Sequence, residues 1–471
     1  MKDEEKEDKR IYILSKEKPV KAVIKLGVPL IAGMFIMVLY NLVDTYFIGL
    51  MRDDFQLAAV NLAYPVMMVM IAMSNMIGAG ASSLIARSLG AEDTDKAAHT
   101  LTAGFLLTVI NSAIVTAAGL LLLPQIVTGL GADDTTFDYT TQYVFVLFLG
   151  SIFTMGSYTA GQLLRAEGSV KQSIVGMIVG TITNIVLDPI FIYLMHMGVR
   201  GAALATVLSQ GLSAAFVLRF LGGRQAELRL RLMTPADFLG HLDTAADIVS
   251  LGLSSFVMSA TNFLVSAACN NMLSGYGGDL YVSIMTVVSS VRQMLDTPVL
   301  AIGDGTSPVL SFNYGARRPD NVRRSILIMT ILGVSYTLVS WLLLLWKPGL
   351  FIGIFTPDKE LIRDAVPALH LYFFAFPFQA LQISGQTTFK ALNKKKRAIF
   401  FSIFRKVIIV VPLTILLPGM FGMGVNGVFM AEPISNFVGG SASFTTMLLT
   451  ILPELKRMEQ DPLKAPAGDL S

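Results

Sequence analysis

The sequence predicts an all-α polytopic membrane protein: twelve transmembrane helices in two six-helix lobes related by pseudo-two-fold symmetry along the membrane normal. An apolar composition, a succession of apolar runs of spanning length and an internal repeat lead to that class. Of the 471 residues, 53% are hydrophobic and 15% charged, whereas a soluble domain carries about 25% charged residues. Mean hydropathy is +0.63. A chain so poor in charge cannot clothe its core in a wetted surface, so much of its outside must meet lipid. Nucleic-acid binders, secreted disulfide scaffolds and disordered proteins are excluded on the same grounds. Cys269 is the single cysteine and has no internal disulfide partner, and the four histidines are too scattered to form a metal site.

A helix crossing lipid needs roughly 20 mostly apolar residues. Runs of that length fall near 22–49, 57–86, 100–123, 140–164, 172–195, 201–220, 247–274, 281–313, 325–346, 367–391, 399–417 and 425–452. The ten-residue alternating segments of a membrane barrel are absent, which leaves a helical bundle. Lys and Arg collect in short cytoplasmic loops. With the N-terminus inside, the inside segments hold 30 of them, including Lys390 through Lys406, and the outside loops hold 5, with Arg292 left in a span. Both termini are therefore expected in the cytoplasm, and the number of spans is even. The opening Met1 to Arg10 mixes both charge signs and no small-residue cleavage site follows it, so no signal peptide is expected.

A shift of about 225 residues superposes the two halves. Leu26-Gly27 falls on Leu251-Gly252. Gly78, Gly80 and Gly90 fall on Gly303, Gly305 and Gly315, and Arg165-Ala166 falls on Lys390-Ala391. At a shift of 226, Gly198 and Gly201 meet Gly424 and Gly427. Six spans per half is an even number, so the repeats share one orientation. The expected organisation is a cytoplasmic segment 1–21, an N-terminal lobe 22–220, an inter-lobe loop 221–246, a C-terminal lobe 247–452 and a tail 453–471. Prolines within the spans, Pro29, Pro189 and Pro433 among them, allow the bends that a rocking transporter needs.

Several stretches resemble the multidrug and toxic compound extrusion (MATE) family, bacterial drug-efflux branch. They are Val43-Asp44-Thr45, Gly78-x-Gly80 through Arg87-x-x-Gly90, Leu164-Arg165-Ala166-x-Gly168, Asn184 through Pro189, Gly198 through Thr206, and Gly303 to Ala316. The resemblance covers about residues 15–455, and it implies export of organic, often cationic compounds driven by inward H⁺ or Na⁺. It also implies a cation-responsive cluster at Asp44, Asn184, Asp188 and Thr206.

Ionisable residues inside spans are costly and mark function. Here they are Asp44, Asp188, Arg292, Asp296, Asp304 and Glu432, with Lys390 through Lys406 counted with the cytoplasmic loop and lysine expected to be absent from the span interiors. Asn184 and Asp188 are four apart and share a helix face, and Pro189 frees a carbonyl one turn earlier. Two carboxylates with amide, hydroxyl and carbonyl oxygens suit Na⁺; desolvated together, they could instead carry a proton. The repeat sets Asp44 against Cys269, Asp188 against Leu413 and Thr206 against Glu432. Glu432, matched to Thr206 by the repeat, and Asp304, an acid of the eighth span that departs from the family pattern, are candidates for a second charge site. Arg292 and Asp296, four apart, read as an ion pair within one helix. The candidate substrate cavity takes Met37, Tyr40, Asn41, Gln162, Gln379 and Gln382, among methionines and aromatic rings able to accept varied cations.

The function these features imply is a secondary antiporter of the cell membrane, exporting amphipathic organic cations by alternating access. It is not an enzyme, has no cofactor beyond H⁺ or Na⁺, binds lipid but no nucleic acid, and is expected to work as a monomer. A flippase or exporter of a lipid-linked or other endogenous metabolite is the alternative. That would call for an Arg-rich cavity, whereas Arg292 is the one arginine counted with the spans rather than with the loops.

Overall fold

The computed structural model describes residues 12–14, 17–49, 53–223, 226, 228, 242–420 and 422–460. The side chains of 37–46, 48, 49, 54 and 263 fall outside the description. The first eleven residues, most of the inter-lobe loop with Arg224, Arg229 and Arg231, and the tail beyond 460 likewise lie outside the described residues.

Among the described residues the chain is helical without a strand, and twelve spans can be followed. The first three are Pro19–Gly49, Asp54–Gly90 and Thr94–Leu121. The fourth is a pair, Phe137–Leu149 and Ser151–Ala166, bent by 54°. The fifth, Val170–Pro189, widens into a π-helical turn at Ile190–Leu194, and the sixth is Gly198–Leu221. The seventh and eighth share one hydrogen-bonded run, Leu242–Gly315, broken at Gly278 (φ 70°, ψ −168°). Only glycine adopts that conformation without strain, so a single residue turns the chain between two spans. The ninth is Pro319–Trp346, and the tenth is again a pair, Lys359–Tyr372 and Pro377–Ala391, bent by 51°. The eleventh runs from Lys395–Ile403 through a π-helical stretch, Phe404–Val410, into Val411–Met420; the twelfth is Val425–Gln460.

The repeat read from glycines extends to irregular backbone. Short helices, Leu123–Gly129 and Pro348–Ile352, follow the third and ninth spans. Left-handed residues Glu92 and Arg317, then Gly168 and Asn393, close the turns after spans two and eight, four and ten, each pair 225 apart. Side chains set the starts: Asp53 accepts from the amides of Phe55 and Gln56, and Asp93 from that of Lys96.

One boundary differs from expectation, with consequences for the charges. The apolar window placed the eleventh span at 399–417, yet the tally of bases counted Arg405 and Lys406 with the preceding cytoplasmic loop. The helix instead begins at Lys395, and both residues are 6% exposed inside it. At 1.5 Å per residue, Arg405 stands roughly 15 Å along the helix. Arg292 is therefore not alone, and lysine is not absent from the span interiors. The loop tally falls from 30 to 28 against 5, so its bias survives.

The chain forms two compact units. One comprises residues 1–16 and 32–256, the other 17–31 and 257–471. The first and seventh spans are thus each divided between units, at Ile31/Ala32 and Phe256/Val257, 225 residues apart. Inside the N-terminal unit, Tyr143, Phe148, Met70 and Met155 centre an apolar cluster, with Met67 and Met73 packed on it, so these methionines serve as packing. Inside the C-terminal unit, Phe373, Phe376 and Phe429 centre one cluster, and Phe389, Phe401 and Met447 another. Outward residues such as Leu121, Leu194, Trp346 and Leu449 are apolar and more than 70% exposed, as a lipid-facing surface requires.

Apolar burial drives helices together weakly in lipid, so close backbone approach matters more. In the N-terminal unit, Gly80 abuts the backbone of Ile248 and Gly252, and Gly252 abuts that of Met76. The repeat-related contact in the C-terminal unit sets Gly305 against the backbone of Leu26 and Gly27. Gly78 leaves room for Gln162, and Gly303 for Ile383 and Thr387. Gln162 and Thr387 are themselves 225 apart.

Candidate functional site

Each unit holds a buried polar centre within its spans. In the N-terminal unit, the fifth span delivers Asn184 and Asp188 one turn apart on a buried face, both 0% exposed, and the sixth delivers Thr206 at 1%. Asn184 Nδ2 lies 3.4 Å from Asp188 Oδ1 and 3.5 Å from Thr206 Oγ1, at the long limit for donation to each. Asn184 Oδ1 has no hydrogen-bond partner among the described residues. Three of the four expected cluster residues therefore converge. The fourth, Asp44, lies on the first span, but its side chain falls outside the described residues, as do those of Met37, Tyr40 and Asn41. Next to this centre Pro189 is followed directly by the π-helical turn. Such turns recur at functional sites because they free backbone groups from the regular ladder. Tyr193, within the turn, donates to the carbonyl of Phe47 on the first span.

A converging amide, hydroxyl and carboxylate in a dry environment can hold a small cation. Asn184 Oδ1, Asp188 and Thr206 Oγ1 supply the hard oxygen donors that Na⁺ takes, and a carboxylate so buried is equally a place to carry a proton.

The centre of the C-terminal unit has a different make-up. Glu432, 2% exposed, is surrounded by bases. Its Oε1 lies 2.7 Å from Arg292 Nη2, 3.0 Å from Lys406 Nζ and 3.5 Å from Arg405 Nη2. Arg292 Nε also meets Asp296 Oδ2 at 3.1 Å, the ion pair expected from spacing, and its Nη1 donates to the Tyr372 hydroxyl at 3.1 Å. Arg405 Nη1 donates to Gln379 Oε1 at 2.6 Å and Asn436 Oδ1 at 2.5 Å. Arg405 and Lys406 occupy the π-helical stretch of the eleventh span, so each unit carries a π segment beside its polar centre.

The remaining candidates disperse. Gln379 is engaged by Arg405, while Gln382 is buried with an Oε1 that has no partner among the described residues. Gln162 Nε2 donates to Asn75 Oδ1 at 2.6 Å. Asp304 is exposed. Sequence reasoning missed Arg405, Lys406, Tyr372 and Asn436. The available signal was the absence of any proline or glycine between Lys395 and Val411, which lets the helix start among the basic residues.

Two tandem copies of a six-helix unit, each with a buried polar centre at a broken or π-widened helix, define a polytopic transporter. The MatE family profile matches residues 29–190 and again 254–416, the same offset as the internal repeat. The chain belongs to the MatE family, and it is a transporter, not an enzyme. Among curated relatives, the multidrug export protein MepA of Staphylococcus aureus (strain MSSA476) is 24% identical over 419 residues, covering 88% of this chain and 91% of that protein. MepA of Staphylococcus saprophyticus is 25% identical over 422 residues at the same coverage. Similar solved structures include an outward-facing MATE multidrug resistance transporter, with TM-score 0.88 and 25% identity. A Pyrococcus furiosus transporter described as having a binding pocket of reverse polarity has TM-score 0.89 and 25% identity. Each covers 95% of this chain and 99% of the other.

Proposed function

We propose that this protein is a secondary antiporter that exports amphipathic organic compounds, cations among them, in exchange for inward H⁺ or Na⁺. The observation carrying the proposal is the convergence of Asn184, Asp188 and Thr206 in full burial within the N-terminal unit. Asp44 of the first span belongs to the proposed cluster on the sequence resemblance. Binding of the coupling ion there stabilises a conformation with weaker affinity for the exported compound. The ion releases the compound outside, and its own release inside resets the cycle. The names of the staphylococcal relatives support export of drugs. The basic-residue bias supports cytoplasmic termini in a cell membrane, and the polar centres lie within single units, in keeping with a working monomer. Glu432 forms the second charge site, and Asp304, exposed on the eighth span, is the weaker candidate for one.

The test is efflux of a fluorescent cationic dye from cells carrying wild type or Asp188→Asn. Loss of efflux in the variant, at equal membrane abundance, is expected; full efflux would refute the coupling role. Purified protein in liposomes, given a pH gradient or a Na⁺ gradient separately, identifies the driving ion.

A further inference from the structure

The two polar centres occupy corresponding places in the repeat, yet their charge is inverted. Thr206 of the sixth span and Glu432 of the twelfth are 226 residues apart, and each faces polar residues on the preceding span. In the N-terminal unit those residues are Asn184 and Asp188. In the C-terminal unit they are Arg405 and Lys406. Three bases, Arg292, Arg405 and Lys406, face two acids, Glu432 and Asp296, so the bases outnumber the acids by one among the described residues of this centre.

Packing alone does not account for that surplus. Replacing a buried ion network by apolar residues of similar volume is often neutral or stabilising, and a buried charge without a counter-charge is costly. The donors are also under-used. Lys406 directs its ammonium to one carboxylate, at 3.0 and 3.3 Å, although it has three N–H groups. Arg405 spends one guanidinium nitrogen on two neutral amide oxygens, Gln379 and Asn436. A carboxylate brings the full negative charge and the two-oxygen fork that match a guanidinium and that these neutral amide oxygens lack. The centre is not sealed: the Arg292 and Asp296 side chains keep 12% and 16% exposure at its edge.

We infer that the polar centre of the C-terminal unit, formed by Arg292, Arg405 and Lys406 around Glu432, is a receptor for a substrate carboxylate. The exported compounds then include zwitterions as well as simple cations. This deepens the export reading and rests on it. The single surplus charge matches a monoanion, and the resident Glu432 and Asp296 keep the empty centre from holding three bare bases.

Tetramethylrhodamine and its methyl ester make a matched pair, differing in whether one carboxyl is free. Fluorescence polarisation titrations of the two dyes on the purified full chain give an affinity ratio. Lys406→Gln and Arg405→Gln should each shift that ratio against the free acid by about tenfold, the loss of one hydrogen bond between charged groups. Lys406→Arg should preserve it. An unchanged ratio in both glutamine variants, or an equal shift in Lys406→Arg, overturns the inference. Lys406→Gln leaves Glu432 paired with Arg292 at 2.7 Å, which favours its folding. Should neither glutamine variant fold, wild type alone decides: benzoate should displace the free acid and spare the ester, and equal displacement or none overturns the inference. Ester export by Asp188→Asn cells reports on the export reading, so failure of one leaves the other standing.

Discussion

Gly252→Ala adds one methyl group where two helix backbones meet. The new carbon would overlap the carbonyl oxygen of Met76, lie 2.5 Å from its carbonyl carbon and 3.0 Å from its Cα. Carbon atoms in contact rest about 3.5–4.0 Å apart, so the helices must separate by roughly 1 Å or more, and backbone cannot rotate aside as a side chain can. Overpacking costs about 1–3 kcal/mol, and a rigid contact belongs at the top of that range. At about 2.1 cal/mol/K per residue, the 471 residues give roughly 1 °C per kcal/mol, so a cost of about 3 kcal/mol should lower the midpoint by about 3 °C. The repeat-related Gly305→Ala meets Gly27 Cα at 2.8 Å and Gly27 N at 3.0 Å, a milder conflict that should cost about 2 kcal/mol. Gly275 has no heavy atom within 4 Å of the added carbon, so Gly275→Ala should stabilise its helix by about 0.5–1 kcal/mol. Thermal unfolding of the three purified variants, followed by tryptophan fluorescence, gives the ranking. A Gly252→Ala midpoint within a degree of wild type, or below-wild-type stability for Gly275→Ala alone, would refute the close-packing account.

Other perturbations test the charges. Glu432→Gln leaves Lys406 and Arg405 buried without their carboxylate and should cost about 3–5 kcal/mol, read as a lowered unfolding midpoint; an unchanged midpoint would contradict the ion network. Asp53→Ala removes the cap of the second span and the 2.8 Å bond to Gln56, whose Oε1 in turn accepts from Val199 N at 3.0 Å, so a loss of about 1 kcal/mol is expected. The hydroxyl of Thr136, then that of Thr135, hold the Asp133 carboxyl down to about 2. A depressed folded value stabilises above the unfolded one, so the advantage of wild type over Asp133→Asn should persist above pH 4 and fade from pH 4 towards 2. Equal pH profiles for the two proteins would count against that turn. Glu454 joins Lys394 at 2.9 Å and Tyr314 at 2.7 Å near the ends of three spans. Being partly exposed, it should contribute no more than about 1 kcal/mol, and Glu454→Gln should leave the midpoint within a few degrees.

Spans were legible in the sequence because lipid imposes a length and forbids charge, and the repeat was legible because glycines at backbone contacts have no substitute. Gly80, Gly252 and Gly305 appeared as matches before they appeared as contacts. Asn184 and Asp188 were legible for a similar reason, since four-residue spacing places two polar groups on one face. Arg405 and Lys406 were not. Both lie inside the apolar run 399–417, but a rule that gives basic residues to cytoplasmic loops assigned them to the loop before it, and nothing local shows that Glu432, 26 residues away, holds Lys406 inside the helix. The partner choices of Gln379 and Tyr372 depend on residues 26 and 80 positions away, a separation no local pattern encodes.

The division of the first and seventh spans bears on how the protein is made. Residues 17–31 belong to the C-terminal unit but leave the ribosome before any other part of it, while the N-terminal unit lacks its last piece until residue 256 has been synthesised. The C-terminal unit cannot begin to assemble until residues from Val257 onward are made, so the first half-helix must wait in the bilayer for those partners. Cutting the gene within the inter-lobe loop would give each fragment a helix segment owed to the other. The two fragments should mature only when produced together, and each alone should be a substrate for membrane quality control.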